Sequence, residues 1–255
     1  MRIAVRAFND NPGSPVLVFG NALGTRMPLW TPVAARLADD YQIYLTDLPG
    51  HTVANGGSAA PLTVEALASG VVESLAEVGV ESFAYCGVSI SGAVGLTLAL
   101  NHPDVLTGLI ACATAEKFGT PESWDERIGQ VRADGTRSIV DDTADRWFAA
   151  GFLGEDIATG HLILSDLALV DDEVYSAAAS ALKTYDLSGK LGSISTPTLV
   201  VAGAQDPGCT PEAMSEMAQQ IEGAHFVTIP DSAHLSMVEH PEIVADHIQE
   251  FCGQL

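Results

Sequence analysis

Short apolar runs alternate along the chain with stretches in which apolar residues recur every three to four positions. Runs at 15–20, 41–46, 82–86, 105–113, 198–202 and 225–229 predict strands, those at 15–20 and 82–86 buried. Helical spacing covers 27–40, with Pro28 and Pro32 near its start, and 63–78, with Val64, Leu67, Val71, Leu75 and Val78 on one face. The small, apolar run 93–100, ended by Asn101-His102-Pro103, also reads as a helix, as do 213–221 and 243–251. Strands alternating with helices predict an α/β fold: a mostly parallel sheet with helices on both faces. Residues 116–190 break the alternation, with helical spacing, acidic clusters and no clear strand. The pattern predicts a core of 1–115 and 191–255, with 116–190 inserted as a helical lid above the sheet's carboxyl edge.

At 255 residues and 47% hydrophobic, the chain has material for a sizeable core and no linker, repeat or charge block to divide it. No apolar run reaches membrane-spanning length, and the start lacks a charged-then-apolar leader, so a soluble, cytoplasmic protein is expected. Cys86, Cys112, Cys209 and Cys252 are scattered without metal-ligand spacing, and buried inert thiols are expected. The net charge of −22, from 33 acidic and 11 basic residues, argues against a nucleic-acid or anionic-membrane partner. An anionic substrate would need a local cationic pocket.

The run Cys86-Gly87-Val88-Ser89-Ile90-Ser91-Gly92 joins a strand-like segment to a helix-like one. A serine at such a corner is thrust out of the backbone path on a tight turn, and small residues two before and two after it let strand and helix pack closely. Ser91 stands where the G-x-S-x-G pattern has its second glycine, and it has a small-residue context of its own. Ser89 is the preferred nucleophile, because Ser91 would already lie inside the helix.

A serine hydroxyl needs a base, and the base needs a carboxylate to hold its tautomer. Among seven histidines, only His234 combines a loop position with a preceding strand near the sheet's active edge. Asp206, just beyond the strand at 198–202, is the preferred carboxylate; Asp231, three residues before His234, suits a loop cap. The order Ser, Asp, His is that of a nucleophile-elbow hydrolase. The oxyanion donors expected are the amide of Ile90, at the helix start, and that of Ala22, in Gly20-Asn21-Ala22-Leu23-Gly24.

With these elements in place the chain resembles the α/β-hydrolase superfamily over nearly its whole length, and within it the 3-oxoadipate enol-lactonases of aromatic-compound breakdown. The likeness rests on Gly20 to Thr25, on Asp47 to His51 and on Glu116-Lys117-Phe118-Gly119-Thr120-Pro121-Glu122-Ser123-Trp124-Asp125-Glu126-Arg127, followed by Arg146-Trp147-Phe148. The chain departs from the pattern at Ser91 and at Thr52, where Gly-His-Gly would be usual after Asp47. The resemblance implies a cofactor-free, metal-free serine hydrolase acting on a small carboxylate-bearing lactone. Independently, five of the 11 basic residues (Lys117, Arg127, Arg132, Arg137, Arg146) fall within 117–146. Arg127, three residues after Trp124 and on the same helix face, is expected to bind the substrate carboxylate, with Lys117 adding positive charge. Trp124 and Trp147 are expected to wall the ring. Acyl-enzyme formation and direct attack by water both remain open at this point, as do another esterase or C–C hydrolase, and a non-catalytic receptor, on the same fold.

Overall fold

The computed structural model describes residues 2–51 and 62–255; the departure at Thr52 lies outside them. Among the described residues seven strands, β1 (Ala4–Ala7), β2 (Val16–Gly20), β3 (Gln42–Asp47), β4 (Phe83–Val88), β5 (Leu106–Cys112), β6 (Thr198–Gly203) and β7 (His225–Ile229), form one sheet in the order β1-β3-β2-β4-β5-β6-β7. Only β1 runs antiparallel. The helices are α1 (Thr31–Leu37), α2 (Val64–Ala76), α3 (Ile90–Asn101), α4 (Pro121–Asp134), α5 (Val140–Trp147), α6 (Phe152–Glu155), α7 (Ile157–Leu169), α8 (Asp172–Thr184), α9 (Pro211–Gln219), α10 (Ser236–Glu239) and α11 (Pro241–Cys252).

The α/β reading holds, and the differences have local causes. Residues 4–7, given no strand from the sequence, pair with β3 at the sheet's edge, where a four-residue strand is too short to show a period. The segment 27–40 is not one helix: Met27–Trp30 forms a 3₁₀ turn and α1 follows, because Pro28 and Pro32 each sit at the start of a turn and lack the N–H that would continue the preceding one. Helix α2 starts at its Thr63 cap, whose hydroxyl accepts from the Ala66 amide at 3.1 Å, but it ends before Val78, which is exposed.

Strand β4 is buried along its length and α3 on nearly every side, so neither shows the one-sided pattern of a surface element. From β2 the chain crosses to β3 on one side; from β4 it crosses to β5 on the other. Loops leaving adjacent β2 and β4 therefore diverge, and a crevice opens at their carboxyl ends, the usual ligand position in open α/β sheets. Between β5 and β6 the described chain is helical, α4 to α8, with α4 packed along α8. The ends of this insertion are clasped together: Lys117 bridges Asp186, and the Leu187 amide donates to the Glu116 carbonyl at 2.8 Å.

Backbone segments approach closely where β6 ends. A Cβ on Gly203 would lie 1.9 Å from the Ala233 carbonyl oxygen. Gly203→Ala should therefore cost at least about 2 kcal/mol by overpacking, read as a lowered urea midpoint. An unchanged midpoint would contradict the close approach.

Candidate active site at the carboxyl edge of the sheet

Ser89 sits between β4 and α3 with φ 59° and ψ −118°, a conformation that costs a non-glycine residue roughly 1–3 kcal/mol. Three bonds hold it there. Its N–H donates to the Cys112 carbonyl at 3.0 Å, while its carbonyl accepts from the Ala93 amide at 3.0 Å and the Thr114 hydroxyl at 2.9 Å. Gly87 is obligatory, since a Cβ there would lie 2.2 Å from the Ser91 carbonyl oxygen. Ser91 fits because the space it needs has been cleared across the crevice: a Cβ on Gly20 would lie 2.7 Å from the Ser91 Cβ. The Ser91 hydroxyl donates to the Asn21 carbonyl at 2.6 Å and, unlike Ser89, is not part of the main cavity wall.

His234 and Asp206 come together from the loops after β7 and β6, with His234 Nδ1 2.7 Å from Asp206 Oδ2. Asp206 is buried, and its Oδ1 accepts from the Gly208 amide at 2.8 Å and the Cys209 amide at 3.0 Å. Burial alone would raise its carboxyl, but His234 and the two amides outweigh it and hold the group below the ordinary carboxylate range. Asp231, the rival in sequence, instead takes a left-handed turn and offers its carbonyl to His240. Glu239, which the sequence reading missed, accepts from the Ala233 amide through one oxygen and from the Ala149 amide of the insertion through the other, both at 2.7 Å. The Leu235 amide adds a bond to the Trp147 carbonyl at 3.0 Å.

The loop after β2 is pinned on several sides. Trp30 Nε1 donates to the Gly20 carbonyl at 2.9 Å, and the Ala22 carbonyl accepts from the Thr25 amide and hydroxyl. The Gly24 amide donates to His51 Nε2 at 3.2 Å, a bond that needs neutral imidazole, and burial lowers the His51 pKa to about 4. Among the described residues, neither the Ala22 amide nor that of Ile90, the first residue of α3, has an acceptor.

A cavity of about 430 Å³ joins these loops to the insertion. Ser89, Asp206, His234, Ala22 and Cys209 line one wall; Trp124 and Arg127 of α4, Thr143, Arg146 and Trp147 of α5, and Tyr175 of α8 line the other. The Trp124 indole N–H is bound to the Phe118 carbonyl at 2.8 Å, so that ring offers a face rather than a donor. Lys117 is corrected by the structure: exposed and paired with Asp186 at 2.7 Å, it forms no part of the wall. Arg132 is likewise spent on Glu173. Arg127 has only neutral partners, donating to the Thr143 hydroxyl at 2.6 Å and the Tyr175 hydroxyl at 3.3 Å. Arg146, not singled out from the sequence as a site residue, stands near it; its side chain is largely exposed, and partial burial and then the Arg127 charge lower the pKa of its guanidinium. Its legible signals were its place in the basic cluster at 117–146 and its position beside Trp147.

Asp206, Cys209 and His234 offer donor atoms within 4.8 Å of one another, a spacing a metal could use. Their chemistry fits poorly: the Asp206 oxygens are already bonded, and burial followed by the Asp206 charge keeps the Cys209 thiol protonated. The set is better suited to holding a histidine tautomer than a cation.

A sequence profile described as the alpha/beta hydrolase family matches residues 17–247. The chain is 31% identical to 3-oxoadipate enol-lactonase 2 of Acinetobacter baylyi over 89% of this chain and 85% of that one. It is 27% identical to a pimeloyl-[acyl-carrier protein] methyl ester esterase of Nitrosospira multiformis, over 92% and 93% respectively. The crystal structure of the enol-lactonase from Burkholderia xenovorans LB400 superposes with a TM-score of 0.94 at 28% identity, covering 98% of this chain and 96% of that one.

Behind the loop, Asp47 Oδ1 accepts from the Met27 amide at 2.5 Å while Oδ2 has no partner among the described residues. Burial pushes its pKa up to about 7. A carboxyl raised on folding stabilises fully below its unfolded value of about 4, and that contribution is lost as pH rises through about 7. His51 runs the other way, losing stability as pH falls from about 6.5 toward 4. Comparison with Asp47→Asn isolates the first effect. Between pH 4.5 and 8, wild type should lose up to about 4 kcal/mol relative to the variant in urea unfolding. Parallel pH profiles would contradict the shift.

Proposed function

Because the chain belongs to the alpha/beta hydrolase family, we propose that it is a cofactor-free serine hydrolase that opens a small enol-lactone carrying a carboxylate, with 3-oxoadipate enol-lactone as the leading substrate. The chain is an enzyme of carboxylic ester hydrolysis, as its enol-lactonase and esterase relatives support. The observation that carries the substrate class is the pair Arg127 and Arg146. In a protein of net charge −22, Arg2, Arg26, Arg36, Lys117, Arg132 and Lys183 each hold a carboxylate at 2.6 to 3.8 Å. The two arginines of the cavity have no salt-bridge partner among the described residues. Two like charges side by side in a cavity are repulsive until an anion arrives between them. Breakdown of aromatic compounds in the cytoplasm is the setting the resemblance suggests.

In this reading Ser89 Oγ attacks the lactone carbonyl as His234 Nε2 takes its proton, while Asp206 holds Nδ1–H. The amides of Ile90 and Ala22 receive the oxyanion. Collapse breaks the ring C–O bond and expels an enolate, which takes the proton from His234 and tautomerises to a ketone, disfavouring reversal. Water deprotonated by His234 then adds to the acyl-serine, and collapse returns the proton to Ser89 and frees the second carboxylate. The helices of the insertion act as the lid that carries Arg127, Trp124 and Trp147 over the ring.

The test is loss of enol-lactone absorbance on mixing with wild type, Ser89→Ala, Arg127→Ala and Arg146→Ala. Ser89→Ala should abolish turnover. Each arginine variant should raise KM about 10-fold or more with kcat changed little, as loss of a charge-assisted hydrogen bond does. Turnover of simple esters with the lactone untouched would overturn the substrate and leave the hydrolase; an unchanged KM in both arginine variants would remove the carboxylate-binding role.

A further inference from the structure

We infer that Ser91 is a positioning residue for the oxyanion hole, acting through the peptide that joins Asn21 to Ala22. The inference rests on the reading that Ser89 is the nucleophile and the Ala22 amide an oxyanion donor.

Peptide planarity couples the two ends of this unit. In a trans peptide the C=O and the N–H point in opposite directions from one rigid plane, so fixing one fixes the other. The carbonyl of this unit belongs to Asn21 and the N–H to Ala22. Ser91 Oγ donates to that carbonyl at 2.6 Å, from a side chain that is 3% exposed. The two faces of the unit meet different spaces. Ala22 lines the 430 Å³ cavity with Ser89 and His234, whereas Asn21 and Ser91 line a separate cavity of about 10 Å³ behind the loop, with Tyr85 and Thr46. Pulling the carbonyl toward the rear turns the Ala22 N–H toward the front. That amide has no other acceptor among the described residues.

Supporting contacts make Ser91 a dedicated anchor. Tyr85 Oη sits beside both Ser91 and Thr46, so the serine hydroxyl is itself oriented from behind. Gly20 supplies the room for the Ser91 Cβ. Ser91 is two residues from Ser89 in the first turn of α3, so nucleophile and anchor move together. A glycine at this position, as in G-x-S-x-G, has no side chain to make the bond. The departure from the pattern thus adds a tie between the turn that presents the nucleophile and the loop that receives the oxyanion.

The experiment compares wild type, Ser91→Ala, Ser91→Gly and Ser89→Ala on 4-nitrophenyl acetate, with phenylboronate as the inhibitor that forms a tetrahedral adduct. Ser91→Gly restores the smaller residue of the pattern, so its effect cannot come from crowding. Loss of a whole oxyanion donor costs about 100- to 1000-fold, and misalignment of one should cost about 10-fold in kcat. Both Ser91 variants should show that loss with KM within about twofold, and phenylboronate binding should weaken by the same factor. A merely structural role would not track the tetrahedral adduct in this way. Ser91 variants that keep kcat and phenylboronate affinity within about twofold of wild type would overturn the inference while Ser89→Ala remains inactive. Full turnover by Ser89→Ala would instead overturn the underlying reading, and this inference with it.

Discussion

The geometry of the cavity depends on one close approach: the first turn of α3 pressed against the ends of β2 and β4. Ser89 can take its strained backbone only because its own N–H and C=O are both satisfied, by Cys112 and by Ala93 and Thr114. Each contact requires another residue to be small. Gly87 yields to the Ser91 carbonyl, Gly20 to the Ser91 side chain, and Gly92 to Thr114, where a Cβ would come within 2.5 Å. The strain is thus offset by backbone bonds and by missing side chains rather than by apolar burial alone.

Much of this was legible in the chain. Strands β2 to β7 read as short apolar runs and helices α2, α9 and α11 by their spacing, while α3 was marked by its place after the Ser89 turn and by the Asn101-His102-Pro103 stop, and their alternation already implied a parallel sheet. Ser89, Asp206 and His234 could be chosen by position because loops at the carboxyl ends of strands converge in this architecture. What escaped was local. Strand β1 owes its existence to pairing with β3, a long-range bond invisible to periodicity. The break after Trp30 turns on where two prolines fall within a turn.

The cation cluster shows a different limit. Sequence density singled out residues 117–146, but density cannot tell a spent charge from a free one. Lys117 and Arg132 are neutralised by Asp186 and Glu173, 69 and 41 positions along the chain respectively. Arg127 meets hydroxyls instead, and Arg146, one residue from a predicted wall tryptophan, joins it. Ser91 makes the same point: its fit depends on Gly20, some seventy residues earlier.

Glu239 gives the insertion a fixed edge. Its two oxygens fasten Ala149 on one side and Ala233, next to His234, on the other, and the Trp147 carbonyl takes the Leu235 amide alongside. Parting these segments would strip a half-buried carboxylate of both its donors and release the backbone that aims the imidazole. The end of α5 is thereby tied to the loop that carries His234, and the aim of that imidazole depends on the tie.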